Sequence, residues 1–347
     1  MADQKSRTEI EQIGEFGLID RISRQFISQN GSTLKGIDDD AAVMNYQDNQ
    51  LTLVTSDMLL EGVHFDLSYA PIMHLGYKSI AVNISDIAAM NGTPEQVTVN
   101  LALSNRFSVQ AVDAFYQGVK AACDDYRVDL VGGDTTSSRS GLVISVTAMG
   151  KVHEKSLVYR NGAKKGDILC TTGDLGAAYL GLQILEREKQ VYLANPEMQP
   201  QLDKYEYIVG RQLKPRARMD IIYDLSDYNV VPTAMIDISD GLASELFHIA
   251  TQSKLGVQIY EDKLPIDQRS LETAVELNLN PVTCMLNGGE DYELLFSIEQ
   301  DDYKKIENHP DIHFIGYLHE KENGMNLVTK NEQLVSIQAQ GWQHFHS

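Results

Sequence analysis

LGYKSIAVNISDIAAMNGTP, residues 75–94, is the segment on which the reading of the chain turns. From Leu75 to Met90 apolar residues recur at helical spacing, with Tyr77, Ile80, Ala81, Ile84 and Ile87 on one face. Asn91-Gly92 supplies the stop, because Asn and Gly readily take the left-handed conformation that ends a helix. Inside this apolar helix sits Asp86, one turn from Asn83. A carboxylate in such a place is costly to bury unless it is paired or bound to a metal. The segment therefore predicts a core helix that carries a metal-binding oxygen.

Strands and helices alternate on either side of it. Before it come a helix over Glu15–Ile27, the loop Gly36-Ile37-Asp38-Asp39-Asp40, and a short strand over Leu51–Thr55 that ends at Ser56-Asp57. After it come a strand over Gln96–Leu103, a helix over Val109–Tyr126, a strand over Val128–Val131 running into Gly132-Gly133-Asp134, and a strand over Leu142–Met149. Antiparallel pairing around Gly141 is expected, and the half reads as α+β. The basic, turn-rich stretch Tyr159–Gly166 marks a boundary, giving domains 1–152 and 153–347. The second half reads as α/β, with strands at Ile168–Thr171, Thr233–Ile238 and Tyr292–Ile298. The turn Gly173-Asp174-Leu175-Gly176 leads into a helix over Ala177–Leu185, and residues 187–210 read as a loop and helical linker. Ser239-Asp240-Gly241 opens a helix reaching Thr251, and Gly288-Gly289-Glu290-Asp291 precedes the last of these strands.

Composition narrows the function. The 347 residues are 43% hydrophobic, enough for a packed core. The net charge of −20 disfavours a nucleic-acid partner, which needs clustered Lys and Arg. The three cysteines, Cys123, Cys170 and Cys284, form no C-x-x-C pair and suit a reducing compartment. Met1–Arg7 is polar, and no stretch approaches the ~20 apolar residues of a membrane span. A cytoplasmic protein without a membrane partner is expected.

One arrangement recurs: an apolar element ends and an acidic residue beside Ser, Thr or Gly follows. It occurs at Asp39-Asp40, Thr55-Ser56-Asp57, Gly133-Asp134 and Asp237-Ile238-Ser239-Asp240, with Asp86 a related case. A single acid after a strand is usually a cap or turn former. Several together, without a His or Cys cluster, suit Mg²⁺, which takes hard oxygen ligands. The glycine turns at Gly132-Gly133 and Gly173–Gly176, and the helix start at Ser239, offer backbone N–H groups to phosphates. No P-loop, protein-kinase set or G-x-S-x-G elbow is present.

The segments GIDDDAAV, TSDMLLEGVHF, LGYKSIAVNISDIAAMNGTP, LVGGDTT, RNGAKKGD, TTGDLGAA, MIDISDGLASEL and GGEDYELLF occur in that order. In them the chain resembles the bacterial thiamine-monophosphate kinases, of the superfamily that includes aminoimidazole ribonucleotide synthetase. The resemblance runs from Gly14-Glu15-Phe16 to Gly341–Phe345. It implies the two-domain aminoimidazole ribonucleotide synthetase-like fold, a homodimer that pairs the sheets of its N-terminal domains, and ATP in the cleft. It also implies that Asp39, Thr55, Ser56, Asp57, Asp86, Asp134, Asp237 and Asp240 hold several Mg²⁺ ions. Gly133, Asp134, Arg160 and Ser239 would contact ATP, and His64, Glu290 and Trp342 thiamine monophosphate. Taken singly, His64 and Trp342 read as readily as packing residues, Arg160 as a surface charge and Glu290 as a turn cap. The family usually has Gly where this chain has Asp38.

The implied reaction is direct transfer of the ATP γ-phosphoryl group to a phosphate acceptor. That acceptor is already largely ionised at neutral pH, its second pKa lying near ~6, so no general base is expected. Asp86 and Asp237 would act through Mg²⁺. Other ATP-using members of the superfamily, and a non-catalytic acidic protein that binds metal or nucleotide, are the competing readings.

Overall fold

The protein is described by a computed structural model over residues 10–339. Its first sheet comprises β1 (Thr33–Lys35), β2 (Ala42–Gln47), β3 (Gln50–Leu60), β4 (Thr93–Leu103), β5 (Asp129–Ser137) and β6 (Val143–His153), in the order β1-β2-β3-β6-β4-β5. The strands flanking Gly141 do not pair with each other, contrary to the sequence expectation. Helix α3 (Val109–Tyr126) lies between β4 and β5 in the chain and returns it to the same end, so β5 runs parallel to β4. Strand β6 then fills the slot between β3 and β4, antiparallel to both.

Helix α1 (Gly14–Ser23) is shorter than its pattern suggested, and α2 (Ile72–Ala89) extends a little further N-terminally. Asn91, at φ 56°, ends α2 as expected, and the Gly92 N–H closes the turn on the Ile87 carbonyl at 2.9 Å. A helix apolar on all sides is a core helix, and α2 is one. Its buried residues include Lys78, Ser79, Asn83 and Ser85 as well as the aliphatic ones. Helices α2 and α3 cross at two glycines. A Cβ on Gly76 would stand 2.1 Å from the Phe115 carbonyl oxygen, and one on Gly118 1.8 Å from that of Met73.

The second sheet comprises β7 (Ile168–Thr172), β8 (Ala234–Asp237), β9 (Leu255–Tyr260), β10 (Leu294–Ile298), β11 (Ile312–Glu320), β12 (Met325–Val328) and β13 (Leu334–Ser336), in the order β13-β12-β9-β11-β7-β10-β8. It is antiparallel except where β12 runs beside β9. Around it lie α4 (Ala177–Ala194), α5 (Glu206–Leu213), α6 (Met219–Asp227), α7 (Leu242–Ser253), α8 (Gln268–Glu276) and α9 (Pro281–Asn287). Residues 187–210 are thus partly the end of α4 and the start of α5.

Strand β10, LLFSI, is buried along its whole length because both its faces are covered. Leu294, Phe296 and Ile298 join a core shared with α2 and α6 (Ile84, Ile87, Leu225), whereas Leu295 packs with Leu246 and Ile249 of α7. Helix α2 is therefore packed between the two sheets, and its polar residues open onto the junction between them. The result is a mixed helix-and-sheet fold with two sheets.

Candidate active site

Alternation along β3 sorts its polar residues. The strand does not end at Thr55 but continues to Leu60, so Thr55, Ser56 and Asp57 lie in its middle. Successive side chains of a strand point to opposite faces. Thr55 faces α2, where its hydroxyl donates to Asp86 Oδ2 at 2.5 Å, and Asp57 shares that face. The Asp57 N–H is held by Asn83 Oδ1 at 3.1 Å. Ser56 points the other way, and its hydroxyl donates to the Val146 carbonyl at 3.0 Å.

From the second sheet, β8 ends on Asp237, which accepts a 2.6 Å hydrogen bond from the Ser85 hydroxyl of α2. From the loop before β2, Asp40 reaches the same spot. Asp40, Asp86 and Asp237 each present a carboxylate oxygen within 4.8 Å of the others. Arg160 grips Asp40 with two prongs, Nε to Oδ2 at 3.0 Å and Nη2 to Oδ1 at 2.5 Å.

These anions repel one another where burial limits the screening that water can give. Burial, then the charges of Asp57, Asp237 and Asp40, hold the Asp86 carboxyl well above the usual range. Burial and the Asp40 charge push Asp237 up to about 7. Burial raises Asp57 to about 6, and burial with the Asp40 charge does the same for Asp39. Asp39 Oδ2 is buried and without a hydrogen-bond partner among the described residues. Converging carboxylates, an orphaned oxygen and no thiol or imidazole in the cluster fit a hard divalent cation such as Mg²⁺.

The cluster opens into a cleft of about 880 Å³ whose walls include Asp57, Asp86, Asp237, Ser239 and Asp240. The Asp240 N–H, just before α7, donates to the buried Glu245 at 3.0 Å. His64 and Glu290 also line the cleft. His64 Nδ1 accepts from the Leu60 N–H at 3.0 Å, and Glu290 pairs with the buried Lys78. Trp342 lies outside the described residues.

Two glycine motifs differ from expectation. Gly132, Gly133 and Asp134 form no turn; they lie within β5, an edge strand exposed along its whole length. Gly133 is required by closeness, since a Cβ there would stand 1.8 Å from the Val99 carbonyl oxygen. The register Met58–Ser145–Asn100–Asp134 puts Asp134 on the sheet face opposite Thr55 and Asp57, and neither Gly133 nor Asp134 lines the cleft. The Gly173–Gly176 turn is no phosphate cradle, because three of its four N–H groups are spent internally. Gly173 donates to the Asp311 carbonyl, Leu175 to the Pro265 carbonyl and Gly176 to Asp291 Oδ2.

Sequence reasoning singled out Asp39 where geometry places Asp40 in the tight cluster. It also missed Glu245, Gln212 and Lys78. The signal for Lys78 was available: a charged residue in the same apolar helix that drew attention to Asp86.

Asp38 sits at φ 103°, in the region that favours glycine, with an exposed side chain 3.4 Å from the Lys35 ammonium. Asp38→Gly relieves about 1–3 kcal/mol of backbone strain and gives back about 0.5–1 kcal/mol in unfolded-chain entropy. It is expected to raise stability by about 1 kcal/mol. A melting curve checks this, and a lower melting temperature would contradict it.

The chain is similar to known proteins along nearly its whole length. Residues 38–152 match the family "AIR synthase related protein, N-terminal domain". The thiamine-monophosphate kinase of Aquifex aeolicus is 35% identical over 337 residues, 97% of this chain and 99% of that one. That of Bacillus subtilis is 33% identical over 336 residues, 95% and 99% of the two chains. Among solved structures, AaThiL complexed with AMPPCP and TMP superposes with a TM-score of 0.82 at 33% identity, over 98% of this chain and all of that one. The hydrogenase maturation protein HypE in complex with ATP, at 16% identity and a TM-score of 0.66 over 90% of this chain and 91% of its own, shares the fold. Similarity of this extent, along nearly the full length of both chains, makes this chain a member of the thiamine-monophosphate kinase family.

Proposed function

We propose that this chain transfers the γ-phosphoryl group of ATP to the phosphate of thiamine monophosphate, forming thiamine diphosphate and ADP. The observation that carries the reading is the convergence of Asp40 with Asp86 and Asp237, two residues of the cleft wall, in a chain similar from end to end to AaThiL complexed with AMPPCP and TMP. An acceptor phosphate oxygen attacks the γ-phosphorus as the bond to the ADP oxygen breaks. Neither anion needs a protein base, so the task is alignment and charge neutralisation. Mg²⁺, when bound, supplies positive charge between the two phosphates.

The residues that would hold it are Asp40, Asp86 and Asp237 with Asp39, Thr55, Asp57 and Asp240 around them; the family also implies Ser56 and Asp134, which lie here on the opposite face of the first sheet. Asp86 and Asp237 would serve the reaction by holding it. Arg160 spends Nε and Nη2 on Asp40, and its Nη1 keeps two N–H donors for ATP phosphate oxygens. Ser239 faces the nucleotide from the cleft wall, whereas Gly133 and Asp134, which do not line this cleft, are ATP contacts only as the family implies them. His64, Glu290 and Trp342 receive the thiamine monophosphate. Residues 1–152 and 153–347 serve as the two domains.

A homodimer belongs to the same reading. Strand β5 is exposed on both faces, with Leu130 and Val131 in contact with solvent, and Met58 lies on the open face of the first sheet, 54% exposed. Sheet pairing between two copies would cover this surface and enclose Asp134. Light scattering should give twice the 38.7 kDa chain mass, and a single-chain mass would contradict it. No described helix is long and apolar enough to cross a membrane, and the three cysteines are buried thiols, which suits the cytoplasm.

The function is tested with ATP labelled in the γ-phosphate. Label in thiamine diphosphate is expected. Label only in inorganic phosphate would contradict the acceptor.

A further inference from the structure

Glu290 is held more firmly than a cleft-lining carboxylate needs to be. Its backbone is in the left-handed region, φ 65°, and its N–H donates to the Ser239 carbonyl at 2.7 Å. The next residue, Asp291, is locked by the N–H groups of Gly176 and Ala178 at 2.6 and 3.2 Å. The residue after that, Tyr292, is again left-handed at φ 52°. Residues kept in such conformations are over-determined by their surroundings, and they cluster at ligand sites.

The carboxylate is pinned as well. Lys78, 4% exposed, donates to Glu290 Oε1 at 2.8 Å and to the Gln212 carbonyl at 3.3 Å. The Gln212 side chain donates its amide N–H to Glu290 Oε2. An amide oxygen facing that carboxylate would be repelled, so the orientation of the amide is fixed. Its other end, Gln212 Oε1, is left buried without a hydrogen-bond partner, on a residue only 5% exposed that lines the cleft. A buried acceptor left in this state costs stability. Beside it, Glu290 has lone pairs to spare and a side chain that is 26% exposed.

We propose that Gln212 Oε1 and Glu290 together read the amino group of the acceptor's pyrimidine ring, and that Lys78 is the positioning residue that aims Glu290 at it. The inference rests on the function proposed above. Thiamine monophosphate has one N–H donor group, the ring amino group, and two fixed acceptors can take both of its hydrogens. Lys78 cancels the Glu290 charge, so the site recognises a neutral donor rather than any cation. A site built to satisfy an N–H group rejects an analogue without it, because the site's own acceptors then stay unpaired.

The test compares kcat/KM for thiamine monophosphate and for its analogue with a ring carbonyl oxygen in place of the amino group. The wild type should prefer the amino compound roughly 10⁴-fold. Gln212→Leu and Lys78→Met should each shrink that ratio at least tenfold by raising KM for thiamine monophosphate, with KM for ATP unchanged. Lys78→Arg should restore part of it. A uniform loss of activity with the ratio intact would mean a structural role and overturn the inference. Glu290→Gln separates the layers. If it lowers the ratio while Gln212→Leu and Lys78→Met do not, this inference alone is wrong. If it leaves the ratio unchanged, the role of Glu290 and the inference fall together. No turnover of thiamine monophosphate by the wild type would remove the proposed function and the inference with it.

Discussion

Asp86→Asn is expected to lower turnover by about 10²–10³-fold or more, the loss typical when one electrostatic stabiliser is removed from a preorganised site. The same variant should be no less stable than the parent in the absence of ligand. Asp86 is half-buried at the cleft wall, and its charged form is opposed first by burial and then by Asp57, Asp237 and Asp40. An amide of nearly the same shape removes the charge and can still accept the Thr55 hydroxyl bond through its oxygen. Stability and activity thus pull apart at one atom, as they do at sites strained for function. Single-turnover rates and a melting curve on the same preparation test the pair. Normal turnover would remove Asp86 from the reaction, and a collapsed fold would show that its charge is structural.

Mg²⁺ should raise the melting temperature of the nucleotide-free chain, and much more at pH ~8 than at pH ~5.5. The folded chain holds Asp237 at about 7 and Asp57 and Asp39 at about 6, against an ordinary value of 3.8. Their folded values are raised, so these groups contribute stability below the unfolded value and lose it as the pH climbs through 6 and 7. The ligand-free chain should therefore weaken between mildly acidic and neutral pH. A cation takes the place of the missing protons, so its benefit grows over the same interval, and a chelator should reverse it. At a hundredfold excess over its dissociation constant the gain is about 2.7 kcal/mol. A Mg²⁺ effect equal at both pH values would count against these carboxylates as the binding set.

Local features of this chain were legible in the sequence where a single element decides them. Helix α2 with its Asn91 stop, α3 from Val109 to Tyr126, and the placement of Asp86 and Asp237 at the junction follow from periodicity and from the cost of a buried charge. What depends on partners far along the chain was not legible. Nothing near Gly141 says that β6 pairs with β3 and β4 rather than with β5. The split of Thr55 and Asp57 from Ser56 needs the full length of β3, which the pattern cut short. The N–H groups of the Gly173–Gly176 turn look available until Asp291, Pro265 and Asp311 are brought to them. Asp39 and Asp40 are neighbours in sequence, and only the fold gives Asp40 to both Arg160 and the carboxylate cluster.

Direct transfer between two phosphates at the Asp40–Asp86–Asp237 cluster leaves no phosphorylated protein on the way. A rapid-quench single turnover with enzyme in excess, γ-labelled Mg-ATP and thiamine monophosphate tests it most directly. Thiamine diphosphate and ADP should appear in equal amounts and at equal rates, with no label on the protein. Label on the protein before it reaches thiamine diphosphate, or ADP and inorganic phosphate without thiamine diphosphate, would contradict it.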